Sequence, residues 1–333
     1  MPRFRRVQTI THDIGSSGQL VLAVSSADVR LTAEDGGKVE LQATFEVSAR
    51  DEAEADARFE ASKLNVLAAA GRLEATEQGG ARGIGSAIGL MLSGRDVDLS
   101  RVEGSAPPGC RLEVSAVSGD VQASGFRGPQ RFQTVSGDLR LVETGGELDV
   151  TSVSGDVSLR AVQPAILKVN TVSGDLSAEA PSFRRLDASA VSGDLSVDGA
   201  LDPAEPHTAE TVSGDFRLAS GSGMTISVRG LSSDVHSSLP HRVEGSADRR
   251  RLIVGDGAAS LAFSSMSGDL SVTHSRQATA ATSQRVVNDM ADSVRPAPSS
   301  PDRTAASSQA DVLAALERGE IDVDEAMRRL GGE

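Results

Sequence analysis

The chain has 333 residues, with 47 acidic against 33 basic side chains, a formal net charge of −14, and 8 Phe but neither Trp nor Tyr. Surfaces that neutralise phosphates need the opposite charge balance, and sugar grooves and single-strand nucleic-acid platforms rely on aromatic faces for stacking. Composition therefore argues against nucleic acid as a partner, and against anionic lipid everywhere but the basic start, Pro2–Arg6. A single cysteine, Cys110, excludes an intramolecular disulfide and is expected to be a buried, inert thiol. No apolar run of signal-peptide length follows the basic start, and the nearest candidate for a membrane span, Ala87–Leu92, is far too short. The expected location is the cytoplasm, with any membrane association made through a partner.

Residues 1–109 read as a β-rich segment with one helix and a glycine-rich loop. "QLVLAVSSADVRLTAEDGGKVELQATFEV" suggests three strands joined by turns, with "EDGGK" as a hairpin signal. "RDEAEADARFEASKLNVLAAAG" is rich in Ala and Glu and is expected to be a helix ending at Gly71. "EQGGARGIGSAIGLMLSGRD" reads as a loop; the glycines of Gly83–Gly89 have the wrong spacing for a dinucleotide-binding turn.

Residues 110–274 repeat. The string "TVSGDLR" and its close variants place aspartates at Asp120, Asp138, Asp156, Asp175, Asp194, Asp215 and Asp269, with spacings of 18, 18, 19, 19, 21 and 54. Each follows a glycine: Gly119, Gly137, Gly155, Gly174, Gly193, Gly214 and Gly268. A degenerate copy puts Asp234 between the last two, and "VSSADVRL" around Asp28 echoes the unit early in the chain. Apolar residues alternate before each turn, as at Leu112 and Val114, so each copy begins as a strand. A small residue follows, then a valine that breaks the alternation by one, which is expected to mark a bend or bulge. After Ser-Gly-Asp the alternation restarts, as at Val121 and Ala123.

Two architectures fit: an antiparallel meander with Gly-Asp in each hairpin turn, and a parallel β-solenoid with one copy of about 18–21 residues per coil. The solenoid fits better, because residues on both sides of the turn recur in kind and would stack in register. Asp120 to Asp269 spans 149 residues, which predicts roughly eight coil steps and a rod about 38 Å long. The fold class is therefore all-β, with a small α-helical hairpin at the C-terminus.

Residues 275–308, rich in Ala, Ser, Thr and Pro, read as a flexible linker. Residues 309–333 read as two short helices, the first closed by Gly319, the second capped by Asp322 with Glu325 three residues on. Leu313, Leu316, Ile321, Val323, Met327 and Leu330 form an apolar surface too small to hold a core alone. They are expected to bind a protein partner or a second copy.

The repeated "VSGD[LV]" copies, the strand-rich start and the tail "DVLAALERGEIDVDEAMRRL" resemble the bacterial β-strand-repeat proteins of unknown function called toastrack or adhesin-like domains. The tail itself is similar to the short C-terminal helical (SHOCT-like) domain that often ends such proteins. The resemblance implies a stacked β-solenoid with no established catalytic residues, and a role linked to cell-envelope stress.

The aspartate ladder is the sharpest chemical feature. Like charges about 5 Å apart repel one another, so solvation, hydrogen bonds from nearby Ser and amides, or bound cations must offset them. The reading from the residues is structural turn-capping, with a weak cation ladder as the alternative; calcium-binding repeats carry a denser Gly and Asp pattern. His12, His207, His236, His241 and His274 match no metal-ligand spacing and are expected on the surface or in loops. A polysaccharide-active β-helix enzyme would gather its acids at one locus, whereas these are spread one per copy. No catalytic residue, cofactor or metal is assigned, and the chain is read as a scaffold or interaction protein, ahead of an adhesin-like surface protein.

Overall fold

The structure, a computed structural model, describes residues 2–77, 97–232, 234–246 and 249–275. The expected glycine-rich loop, most of the linker, and the C-terminal helical hairpin lie outside the described residues.

In chain order the elements begin with β1 (Arg3–Asp13), β2 (Gln19–Val24), β3 (Asp28–Ala33), β4 (Lys38–Ser48), α1 (Glu52–Ser62), β5 (Asn65–Ala69), β6 (Arg72–Thr76) and β7 (Val97–Ala106). The repeats supply β8 (Arg111–Ser118), β9 (Val121–Ser124), β10 (Gln130–Ser136), β11 (Leu139–Ser154), β12 (Val157–Ser173), β13 (Leu176–Ser192), β14 (Leu195–Leu201), β15 (Pro206–Ser213) and β16 (Phe216–Ala219). The chain then forms β17 (Met224–Ser232), β18 (Val235–Ser237), β19 (His241–Ser246), β20 (Arg249–Val254), β21 (Ala259–Ser267) and β22 (Leu270–Thr273).

The repeats build a parallel β-solenoid and not a meander. In β12 and β13, Val157 pairs with Leu176 and Thr171 with Ala190, so the register advances by one 19-residue copy. Each coil runs along one side of the solenoid, turns sharply at Ser-Gly-Asp, and returns along the other side. A second bend, marked by register shifts such as Arg160/Ala165, leads to the next rung. Inward positions carry Leu, Val, Ala and Phe from both sides, and Phe126, Phe132, Phe183, Phe216 and Phe263 are fully buried. Each such ring contributes on the order of 1.5–3 kcal/mol. The interior is filled by side chains.

Rungs do not stack in sequence order. β21 and β22 lie between β15–β16 on one side and β17–β18 on the other. The aspartates therefore stack as 215, 269, 234, so Asp120 to Asp269 takes six steps, not eight. β17 and β18 form the rung beyond, and β19–β20 carry the chain back as an antiparallel excursion on β17. At the other end, β2 and β3 stack directly on β8 and β9.

Three early expectations change. "EDGGK" does not close a hairpin: β3 and β4, which it joins, each pair with β7 and not with each other. The predicted helix starts at the Asp51 cap but stops at Ser62, because Lys63 turns to an extended conformation and the chain enters the β5–β6 hairpin. Gly71, at φ +73°, makes the hairpin turn instead of a helix cap. The basic start also forms a full strand: β1 pairs antiparallel with β4 along its length. Arg6 bridges to Asp56 and Glu52 on α1, and Phe59 packs edge-on against Phe45.

Candidate functional site

The Ser-Gly-Asp corner is one hydrogen-bonded unit repeated along the stack. In each rung, Oδ1 of the aspartate accepts the backbone N–H of the aspartate in the next rung. The pairs run from Asp28 through Asp120, Asp138, Asp156, Asp175, Asp194, Asp215 and Asp269 to Asp234, at 2.8–3.3 Å. The following residue repeats the connection through the main chain: Leu139 N–H donates to the Asp156 carbonyl at 2.9 Å and Val157 N–H to Asp175 at 2.8 Å. The carboxylates thus stand close together because each has a fixed donor. Most of the aspartates are exposed, Asp194 and Asp215 less so; Arg217 donates to Oδ2 of Asp194 at 2.8 Å and of Asp215 at 3.4 Å.

Glycine stacks on glycine in the same corner. Gly155 sits at φ +123°, and a Cβ there would overlap the carbonyl oxygen of Gly137. Both the backbone conformation and the space exclude a side chain.

Valine does not break the alternation. Leu112, Val114 and Ala116 all face inward, and Val117 takes the next outward place. The small residue of each copy is the last core position before the corner, and the valine is the first residue of an outer edge. Expectation of a bulge here came from assigning the larger apolar residue to the core. Parallel register continues past the valine, from Thr134–Ser152 to Ser136–Ser154, without a shift. Val172 (49% exposed), Val191 (49%), Val212 (43%) and Met266 (57%) continue this outer row, with Val117, Val135 and Val153 half-buried in it. An apolar ridge therefore runs beside the acidic row, separated from it by serines such as Ser154, Ser173 and Ser192. Sequence reasoning missed it, although a strict count of two from Leu112 finds it.

The inward small position holds a second irregularity. Hydroxyls of Thr134, Ser152, Thr211 and Ser265 are buried without a hydrogen-bond partner in the protein, while Ala116 and Ala190 occupy the same place in other rungs. Thr211→Val keeps the shape and removes the polar atom, so it should stabilise the fold by about 1 kcal/mol. Denaturant melts check this; a loss of stability would mean the hydroxyl is bonded.

The Asp215 amide, and then the Arg217 guanidinium, hold the Asp194 carboxyl below the usual carboxylate range. A lowered folded-state value means that the carboxylate stabilises the fold fully above the unfolded value of about 3.9. That contribution is lost as pH falls through the lower folded value. Arg217→Gln should raise the Asp194 titration midpoint part of the way to normal, because the amide donor stays. Carboxyl-carbon NMR reads it, and an unmoved midpoint would contradict the assignment.

Cys110 is buried, and desolvation pushes its thiol up to about 11. At pH 8 the native chain should resist alkylation and the unfolded chain should react; equal rates would contradict burial. His207 is also buried, contrary to expectation: Nδ1 accepts from the Leu186 amide at 3.2 Å and Nε2 donates to the Asp202 carbonyl at 2.9 Å. Its place at the start of a stacked strand, inside the bend after β14, makes it a core ring. Among the described residues no three of His, Cys, Asp and Glu gather as a metal-ion group, and no helix is long and apolar enough to cross a membrane. The tail residues Leu313, Leu316, Ile321, Val323, Met327 and Leu330 lie outside the described residues.

Fold and corner together define a largely parallel β-solenoid of stacked Ser-Gly-Asp rungs. Residues 87–210 match the family model described as Toastrack DUF4097. No curated protein is similar in sequence. Among solved structures, a "putative adhesin" from Bacteroides fragilis is similar at 14% identity and a TM-score of 0.40, covering 80% of this chain and 97% of that one. A "putative cell adhesion protein" from Clostridium sporogenes is similar at 9% identity and a TM-score of 0.27, covering 82% and 100%. A "putative lipid binding protein" from Parabacteroides distasonis is similar at 10% identity and a TM-score of 0.29, covering 80% and 96%.

Proposed function

We propose that the chain is a non-catalytic scaffold of the toastrack type that acts by binding other proteins. The observation that supports this reading is the corner ridge, an exposed apolar row in fixed register beside an acidic row. Isolated exposed apolar residues are ordinary on a protein surface, but a contiguous row marks a contact surface. The apolar residues of the tail sequence, Leu313 to Leu330, supply a second contact for a partner or another copy. The link to cell-envelope stress rests on the family resemblance.

Photo-crosslinkers at Val172 and Val191, in cells that make the full chain, should give discrete adducts with one identifiable protein, and a crosslinker at Lys168 should not. Absence of ridge adducts would overturn the reading. Light scattering tests the tail: the full chain should form a heavier species than a chain ending at Ser308, and equal assembly states would remove the tail from this role.

A further inference from the structure

We propose that the ridge is the docking site for a basic amphipathic helix of a partner protein, an inference that rests on the scaffold reading above. Three features of the corner select this occupant: its spacing, its charge and its width.

Spacing comes first. Apolar side chains recur along the ridge once per rung, about 4.8 Å apart. An extended strand laid along the ridge presents a side chain to it every ~6.8 Å and falls out of step at once. A helix with apolar residues at alternating three- and four-residue intervals presents one every ~5.3 Å. The mismatch is about 0.5 Å per rung, or roughly 3 Å over the six steps from Val117 to Met266, within the adjustment of flexible side chains. Those steps span roughly 29 Å, the length of about 19 helical residues.

Charge selects the flank. On one side of the ridge lie mostly neutral positions, such as Thr151, Asn170 and Ser189. Across the serines on the other side lies the aspartate row. Through the middle of the stack the residues beyond it are Ser158, Ser177 and Ser196; Arg217, two rungs on from Asp175, interacts with it through charge but bonds Asp194 and Asp215 instead. A helix with Lys or Arg along one flank would place them against this row. The chain's own tail does not suit it, because residues 309–333 hold seven acidic and three basic side chains.

Charge also argues against a second copy, because two ridges meeting edge to edge would bring two acidic rows to the same narrow contact. A helix about 10 Å across matches the width of the ridge.

The probe is a labelled, amidated 20-residue peptide with Leu at three- and four-residue spacing and Lys along one flank, titrated into the full chain by fluorescence anisotropy. Wild type should bind it at least tenfold more tightly than the same peptide with Glu for Lys, and less tightly in 300 mM than in 50 mM salt. Val172→Thr/Val191→Thr keeps β-branched shape, and Asp156→Asn/Asp175→Asn keeps the oxygen that accepts the neighbouring amide. Each pair should weaken binding at least tenfold with an unchanged thermal melt. Failure of wild type to bind, equal binding of the two peptides, or undiminished binding by both folded variants overturns the proposal. Ridge crosslinks that persist without peptide binding would sink the basic helix and spare the scaffold reading; peptide binding without ridge crosslinks would sink the scaffold reading, and the partner protein with it, while leaving the ridge able to bind a basic helix.

Discussion

Gly174→Ala should destabilise the solenoid by about 3 kcal/mol, lowering the melting temperature by about 10 °C. Gly174 sits at φ +117°, where an L side chain is strained, and its Cβ would overlap the carbonyl oxygen of Gly155 in the rung below. Neither rung can move aside, because the Asp175 N–H is fixed to Oδ1 of Asp156 at 2.9 Å and the Val157 N–H to the Asp175 carbonyl. Substituting the exposed neighbour, Ser173→Ala, should change stability by less than about 0.5 kcal/mol. Thermal melts of the two variants give the comparison, and equal melting temperatures would mean that the corner tolerates a Cβ.

Ending the chain at Ala258 should have the larger effect, although it removes the last described rung in sequence order. That rung lies inside the stack. Its loss takes away Leu261, Phe263, Leu270 and Val272, all buried, with an upper estimate of roughly 6–12 kcal/mol of burial. Phe263 also stacks on Phe216, with ring centres 5.7 Å apart. Amides of Phe216 and Ser220, which donate to the Asp269 and Thr273 carbonyls, should lose protection from hydrogen exchange. Residues 224–254 should become open to proteolysis, since β17 and β18 lose their parallel neighbours. Retained protection at Phe216 would show that β17–β18 closes onto β15–β16 and that the interleaved order is dispensable.

The period of the fold was legible because each copy must present the same residue types to the same neighbours. An 18–19-residue spacing with two alternating runs around Ser-Gly-Asp has a parallel coil as its natural reading. The rung order around Asp269 was not legible. A parallel ladder is satisfied by any neighbour of matching register, and a 54-residue gap fits a skipped and refilled place as well as a row of successive coils. The ridge escaped for a different reason. Thr134 or Ser152 beside a valine invites the more apolar residue to be assigned inward, yet the period of two carried through the strand puts the hydroxyl residue in the core and the valine outside. Helix α1 was visible in its Ala and Glu content, but its end was not, since the Leu and Ala of "NVLAAAG" favour helix locally and take strand form only through pairing with β6.

The ladder's hydrogen bonds answer how stacked carboxylates hold together without assigning them chemistry. Each aspartate uses one oxygen to fix the next corner. What remains for contact is the outer oxygen and the valine row, so structural and interaction roles share one edge of the protein.

Amide exchange at the corner tests this account most directly. In calcium-free buffer with chelator, the exposed-corner amide of Asp175 should be strongly protected, and Asp156→Ala should deprotect it at least tenfold while leaving the Asp138 amide as it was. An Asp175 amide that exchanges freely in wild type until calcium is added, or that stays equally protected in Asp156→Ala, would contradict it.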